Sequence, residues 1–537
     1  MLGTDLWKKY CSFYDNSFQK QMEYSNESFQ KYFSKWKKTA IAKQLEASIN
    51  INNFKDVPIT TYSDYPMLHS FGSQLIEVSK ANPRLANESL SEYYLRIGKN
   101  VGSSLDKYMT EPYYFCATTT GSSGYNKWIA KGKTFWDNFS QATLSTILIS
   151  CSDDWGETKL KQGDTALNIT APIPYISGWG ADIFQTHFKL LPPMSVTDNL
   201  QNMKDKFQYV IKAVEKGKKI DVAGGIGSMF YMICKYLVDP EELFSEYYRG
   251  MSFGLKKFLL SLKLLQLKIK GKTAKRITDF LPLKGVIVGG MDSQLYIDFF
   301  KNEFDFEPLH AYGSTESGNL MRGDPDRKTD LVPNLTCCYL EFKTEEGELK
   351  KLDELKKGKT YDMVITPFGS ILFRYDMEDS FRVVDFRDDG APIFSFEGRK
   401  TAVLDIYGYY RITTKTLVQA LFNAGLRVSD KWAAAKLVDP KEKIVFIMEK
   451  TWEHSEKEAE KRIFNALKEL HNDFRKYVTD FNITDPSEAV KVEYLRHGAF
   501  LRYSALKAKM GSPLGQYKPP QLISPDRMEI YETLRSS

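Results

Sequence analysis

The sequence predicts an α/β protein. A large amino-terminal domain with mixed or parallel sheets flanked by helices, plus a β-barrel-like subdomain, is followed by a small α+β domain at the carboxyl end. Three patterns carry that expectation. Residues 220–227 and 285–290 each read as a buried strand ending in glycines, with helical periodicity behind them at 228–237 and 292–302. Such strand-then-helix alternation argues for a parallel sheet whose ligand crevice lies at the strands' carboxyl ends. From 337 to 384 the period changes to alternation punctuated by turn signals at 345–348 and 357–359, as in a barrel-like β subdomain. After Arg399 the pattern resets.

The elements follow in order. Residues 10–50 are helical in period, with Phe29, Tyr32, Phe33, Trp36 and Leu45 facing inward. Residues 58–62 read as a short strand or loop entry. Residues 114–120 are apolar and β-branched, then break into glycine and serine, which is a strand ending in a tight loop. A helix at 133–150 comes next. Past the reset, a helix at 414–423 precedes strands near 431–436 and 443–448 and one long helix at 455–477. The domains expected are 1–399 and 402–537, joined by a linker at Lys400-Thr401.

Composition narrows the class. Hydrophobic residues make up 42% and charged residues 26%, which fits a folded globular chain and excludes a disordered one. The net charge of +6 over 537 residues is too small to imply a nucleic-acid partner. No apolar run reaches the ~18 residues a membrane span needs. The nearest candidate, 258–269, is interrupted by Lys263 and Lys268 and reads as a buried amphipathic helix. The first residues lack the apolar stretch of a secretory signal. The six cysteines show no Cys-x-x-Cys pair and no zinc spacing with histidine, so they are expected to be reduced and structural in a cytoplasmic protein.

The chemistry is concentrated in four segments. The first is Thr119-Thr120-Gly121-Ser122-Ser123-Gly124-Tyr125-Asn126-Lys127. Backbone N–H groups of a Gly/Ser loop form a concave anion cradle. Here Thr119, Thr120, Ser122 and Ser123 add hydroxyl donors, and Lys127 adds a point charge. The second is Tyr312-Gly313-Ser314-Thr315-Glu316: a flat face for an adenine ring, a hydroxyl for an α-phosphate, and a hard oxygen ligand for Mg²⁺. The third is 373–379, where the Asp379 carboxylate suits both ribose hydroxyls. The fourth is Gly398-Arg399-Lys400, where Arg399 suits the ribose or a phosphate. Taken singly, each has a plain structural reading: a turn, a helix-capping Glu, a surface acid, an exposed Arg. In this order and spacing they point to an enzyme that activates a carboxylic acid with ATP.

In that order the segments resemble the adenylate-forming superfamily, whose phosphate-loop pattern is met with Thr120 for Ser and Ser123 for Thr. Within it the chain is most similar to the Gretchen Hagen three family of acyl-acid amido synthetases. The likeness rests on Gly289-Gly290-Met291-Asp292 leading to 312–316, on 331–335 followed by 339–342, on 358–366 leading to 372–375, on 391–396, and on Gln516-Tyr517-Lys518-Pro519. The resemblance implies an adenylate-forming fold with a mobile carboxy-terminal domain, ATP and Mg²⁺ as cofactors, and a two-step reaction. A carboxylate attacks the ATP α-phosphorus, and an amine, as of an amino acid, then displaces AMP. It implies catalytic roles for Glu316, also the metal ligand, and for Lys518. It places Gly290, Gly313 and Ser314 with Tyr312, Thr315, Asp379 and Arg399 around the nucleotide, and a hinge near 400–401. Lys518→Ala and Glu316→Ala are each expected to lower adenylation severely.

For the acid, the stretch from 171 to 190 supplies Tyr175, Trp179 and Phe184, which suit an apolar or aromatic molecule; core packing is the competing reading. His187 reads as structural. A monomer is expected. The competing functions are an acyl-CoA ligase, a carrier-protein-loading adenylation enzyme and, outside catalysis, a nucleotide-binding protein.

Overall fold

The computed structural model describes residues 3–46, 49–119, 127–199, 203–226, 283–289, 306–399, 403–406, 410–426, 431–438, 442–450, 453–509, 521–523 and 527–536, with isolated positions at 230, 234, 297, 300–302 and 304. The helical patterns at 228–237 and 292–302 therefore lie largely outside the described residues, as do the 258–269 pattern and the 400–401 linker. By contact density the chain divides into two units, 1–231 with 276–396 and 232–275 with 397–537.

The first unit begins with helices α1 Gly3–Tyr10, α2 Phe18–Trp36 and α3 Ala40–Glu46, then α4 Pro66–Ala81 and α5 Leu90–Gly102. The aromatic residues of α2 recur at i, i+3, i+4 and i+7, so Phe29, Tyr32, Phe33 and Trp36 form one buried stripe. Phe29 stacks on Tyr339 at 4.1 Å and Trp36 on Phe373 at 4.0 Å, which fastens the helix to the β subdomain. Each such side chain contributes on the order of 1.5–3 kcal/mol of burial.

Next come β1 Tyr113–Thr118 and β2 Trp128–Gly132, an antiparallel pair, and α6 Lys133–Ser150. From Ala142 to Ser150 every residue of α6 is buried, so its second half is enclosed on all sides by the core. Hydroxyls of that half bond back to the helix backbone: Thr146 donates to the Ala142 carbonyl at 2.7 Å and Ser150 to that of Ile147 at 2.8 Å.

The main sheet uses β3 Thr165–Leu167, β4 Lys189–Leu191, β5 Val222–Ile226, β6 Gly285–Gly289, β7 Leu309–Ser314, β8 Gly318–Arg322 and β9 Val332–Pro333, with α7 Ile176–Phe184, α8 Met194–Thr197 and α9 Met203–Glu215 between them. Its strand order is β4-β3-β5-β6-β7-β8-β9. The strands from β4 to β7 are parallel, and β8 and β9 turn back antiparallel. The expected strands at 220–227 and 285–290 are thus adjacent central strands of a mixed sheet.

The β subdomain predicted at 337–384 is a five-stranded sheet of β10 Cys338–Lys343, β11 Leu349–Lys350, β12 Thr360–Pro367, β13 Tyr375–Phe386 and β14 Pro392–Arg399, in the order β11-β10-β12-β13-β14. Arg322 and Asp324 are buried as an ion pair at 2.9 Å, and Arg387 bonds the second Asp324 oxygen.

One buried histidine gives this unit a pH signature. His310 on β7 is 2% exposed, and burial lowers its pKa from 6.5 to about 4, with the Thr329 carbonyl working the other way. The unfolded chain therefore takes up a proton between pH 6.5 and 4 that the folded chain refuses, and stability is lost as pH falls through that window. Comparing urea unfolding at pH 7 and 4.5, His310→Asn should lack about 2–3 kcal/mol of the acid destabilisation that the wild type shows.

The second unit carries β15 Val403–Ile406 and β16 Tyr410–Thr413, then α10 Thr414–Asn423, β17 Trp432–Val438, β18 Glu442–Glu449, α11 Glu456–Leu470, α12 Asn472–Asp480, β19 Val490–Leu495, α13 Ala499–Lys509, β20 Leu522–Ile523 and α14 Met528–Ser536. The sheet order is β19-β18-β17-β20. Helix α11 covers the β19 edge with acceptors: the Glu460 carboxylate takes the Val492 N–H at 3.1 Å and Glu456 that of Tyr494 at 3.0 Å. The single helix expected at 455–477 is two helices. His471 leaves the helical region at φ −127°, ψ 119°, and its ring nitrogen accepts the Phe474 N–H to start α12.

Candidate active site

The site grows from three ends of secondary structure in the first unit. The first is the base of the β1–β2 loop. The Thr119 N–H donates to the Lys127 carbonyl at 3.0 Å, and the Lys127 N–H donates to the Thr119 hydroxyl oxygen at 3.0 Å. This double bond pattern fixes where the loop leaves and returns. Thr120, Ser122 and Ser123 lie outside the described residues, as do Gly290 and Lys518.

The second is the turn between β7 and β8, at the carboxyl end of a central strand. Ser314 makes this turn: its hydroxyl accepts the N–H groups of Glu316 at 3.2 Å and Ser317 at 3.1 Å. Gly313 is required by space, because a Cβ there would meet the Gly318 carbonyl at 2.6 Å. Thr315 is half-buried, and Glu316 is 5% exposed. Among the described residues, no hydrogen bond or salt bridge takes up the Glu316 carboxylate.

The third is the start of β13, where the pairing with β12 slips between Asp362 and Val364 and Glu378 adopts φ 58°. The slip re-aims the strand and leaves Asp379 inward and buried.

Three hydrogen bonds tie these segments pairwise into a closed triangle. Lys127 Nζ donates to the Tyr375 hydroxyl at 3.4 Å, joining loop base and β13. The Tyr312 hydroxyl donates to Asp379 at 2.5 Å, joining β7 and β13. Lys131 Nζ on β2 donates to the Glu316 carbonyl at 3.1 Å, joining hairpin and turn. The Tyr312 ring is held by Phe381 edge-on at 4.9 Å and by Phe396 at 5.7 Å. Arg399 ends β14 and is grouped with the second unit.

Two participants were not anticipated from the sequence. Tyr375 receives Lys127, whose ammonium also lies 5.6 Å from the Tyr62 ring. Lys131 is wholly buried, with its Nζ 3.3 Å from the centre of the Phe135 ring. Burial lowers the Lys131 pKa to about 7, and the nearby Glu316 charge opposes that shift. The one hint of Lys131 in the sequence is its setting, Trp128-Ile129-Ala130-Lys131-Gly132, which is apolar but for the lysine.

The predicted acid-pocket residues do not share one surface. Tyr175 stands at the start of α7 and bridges Thr118, next to the phosphate loop; burial raises its hydroxyl pKa to about 12. Trp179 is a core residue. It is 0% exposed, donates its indole N–H to the Cys116 carbonyl at 3.0 Å, and packs against Phe115 and Trp136. Phe184 ends α7, roughly 13 Å along the helix from Tyr175, and joins the same core cluster. His187 Nε2 bonds the Tyr10 hydroxyl at 2.6 Å. All six cysteines are unpaired and buried.

A magnesium ion fits this donor set in one way. Among the described residues no three His, Cys, Asp or Glu side chains form a protein cage. Glu316 instead offers a single hard carboxylate, and Mg²⁺ is commonly held by one or two carboxylates together with phosphate oxygens and water.

Comparison with known proteins bears on the same region. Residues 331–399, which span β9 to β14, match the GH3 family central domain. The indole-3-acetic acid-amido synthetase GH3.3 of Arabidopsis thaliana is 23% identical over 210 residues, which is 36% of this chain and 34% of that protein. The aligned part thus spans about a third of that relative's length. Among solved structures, the AtGH3.15 acyl acid amido synthetase in complex with 2,4-DB superposes with a TM-score of 0.64 at 18% identity, over 96% of this chain and 93% of that one. A second GH3.15 acyl acid amido synthetase structure gives 0.60 at 17% identity, covering 91% and 88%. Residues 331–399 are thus similar to a GH3 family central domain, and the chain has the fold of the solved GH3.15 acyl acid amido synthetase structures.

Proposed function

We propose that the protein activates a small-molecule carboxylic acid with ATP and passes the acyl group to an amine, as of an amino acid, making an amide and releasing AMP and pyrophosphate. The observation that carries this reading is the closed triangle of Lys127–Tyr375, Tyr312–Asp379 and Lys131–Glu316. Residues 67 to 248 positions apart in sequence converge at the carboxyl end of a central strand, where ligands of open α/β sheets bind.

In the first step a carboxylate oxygen bonds the α-phosphorus and the bond to pyrophosphate breaks. In the second the amine nitrogen bonds the acyl carbon, the bond to AMP breaks, and the amine proton leaves to solvent. Positioning and charge neutralisation do most of such work. Glu316 would hold Mg²⁺, which when bound supplies charge neutralisation at the phosphates. Asp379 holds the ribose, Thr315 and Lys127 meet phosphate oxygens, and Tyr312 offers its ring to the adenine. Thr119, Thr120, Ser122 and Ser123 complete the phosphate cradle. Gly290, Gly313 and Ser314 shape the nucleotide side, with Arg399 at the ribose. Tyr175, beside the loop, is the residue proposed to face the acid.

The resemblance to the superfamily supports a body at 1–399 and a tail at 402–537 that pivots near 400–401 and brings Lys518 to the first step. A cytoplasmic monomer fits the buried, unpaired cysteines, and among the described residues no helix is long and apolar enough to cross a membrane. Product analysis tests the acceptor. With a turned-over acid, mass spectrometry should find an amide with an amino acid, and a thioester formed with CoA in its place would overturn the amine assignment.

A further inference from the structure

We infer that Lys131 is a positioning residue that holds the Glu316 turn against the phosphate-loop hairpin. The inference rests on the proposed adenylation reading. Three observations carry it. Lys131 is wholly buried, although a lysine is almost never enclosed unless it is paired. Its Nζ gives its hydrogen bond to a backbone atom, the Glu316 carbonyl, at 3.1 Å. Its ammonium also stands over the Phe135 ring on the first turn of α6, at 3.3 Å, so the same group is held on two sides.

The consequence is geometric. The β1–β2 strands bring Lys131 four residues past Lys127, so one short strand sets both the base of the phosphate loop and the height of the carboxylate turn. Glu316 hangs from a turn that Ser314 closes from within and that Lys131 fixes from outside. A group that must meet a metal ion and phosphate oxygens loses effect when its support shifts by about an ångström. Lys131 touches no substrate; it acts through Glu316.

A double-mutant cycle tests this. Lys131→Met and Lys131→Gln are each made in the wild-type and the Glu316→Ala backgrounds, with acid-dependent pyrophosphate release, its half-saturating Mg²⁺ concentration and the melting temperature measured for each. In the wild-type background, losing one buried hydrogen bond should lower the rate about five-fold and raise the Mg²⁺ requirement by a similar factor. In the Glu316→Ala background the same change should alter the rate by less than about two-fold, since the two act as one unit. Removing the donor leaves the buried Glu316 carbonyl unsatisfied, so the melting temperature should fall modestly and alike in both backgrounds. An equal loss in both backgrounds, or no loss in the wild type, overturns the inference. If Lys131→Met fails to fold, the same criteria are applied to Lys131→Gln. Absence of acid-dependent release from the wild type itself would instead refute the adenylation reading on which the inference depends.

Discussion

Glu316→Ala is expected to lower acid-dependent pyrophosphate release by about 10²–10³-fold, the scale of several kcal/mol of lost charge stabilisation. The protein should fold as before. Glu316 is 5% exposed at the tip of the β7–β8 turn, and the turn is built by the Ser314 hydroxyl and the Lys131 ammonium acting on backbone atoms. Removing the carboxylate leaves both supports in place. The one electrostatic partner affected is Lys131, whose charged form the Glu316 charge favours. Without that charge Lys131 loses its proton more readily, so no stranded cation results. Urea unfolding alongside the rate assay checks the separation. A rate within about three-fold of wild type in a folded variant would remove Glu316 from its proposed role.

Arg374→Met acts on the fold. It is expected to destabilise the first unit by about 3–5 kcal/mol, the cost of leaving a buried charge without its partner. Arg374 is 2% exposed. It makes a two-pronged pair with Glu341 at 2.9 Å for both contacts, and also donates to the carbonyls of Phe54 at 3.0 Å and Lys55 at 3.2 Å, and of Val57. Its backbone holds φ 46°, a conformation kept only where surroundings enforce it. The residue therefore clamps the segment at 54–57 to the sheet that presents Asp379. Guanidinium chloride unfolding measures the loss. Replacing Glu341 by Leu in the same chain should restore part of it, because the stranded carboxylate is then gone. A single variant as stable as the wild type would show that the clamp contributes nothing.

What the sequence disclosed, and what it hid, follows from the range of each interaction. Local periodicity was readable: the α2 stripe, the whole of the 133–150 helix, and the two glycine-ended strands lie where pattern places them. The helix break at His471 was hidden because 471 keeps the spacing of the buried stripe, four residues past Leu467 and three before Phe474, so no period is disturbed; only the side chain's bond to the Phe474 N–H reveals it. Tyr312 and Asp379 could be named from motif order, yet their pairing depends on the irregular β12–β13 register. Arg374 lay within the same motif as Asp379 and turned out to serve the fold, since motif membership does not say which way a side chain points. Trp179 went the opposite way from its expected pocket role, because an aromatic residue in an apolar run is legible as buried but not as lining anything. Lys131 was concealed by its charge, which ordinarily marks a solvated position.

The central claim is that this chain joins a carboxylate to the AMP moiety of ATP. Acid-dependent exchange of labelled pyrophosphate into ATP, run across a panel of aromatic and aliphatic acids with Mg²⁺ present, tests it most directly. The account predicts label in ATP with at least one acid, none when acid is omitted, and loss of the exchange in Glu316→Ala. Exchange that proceeds equally without acid, or no exchange with any acid from folded protein that binds ATP, would contradict it.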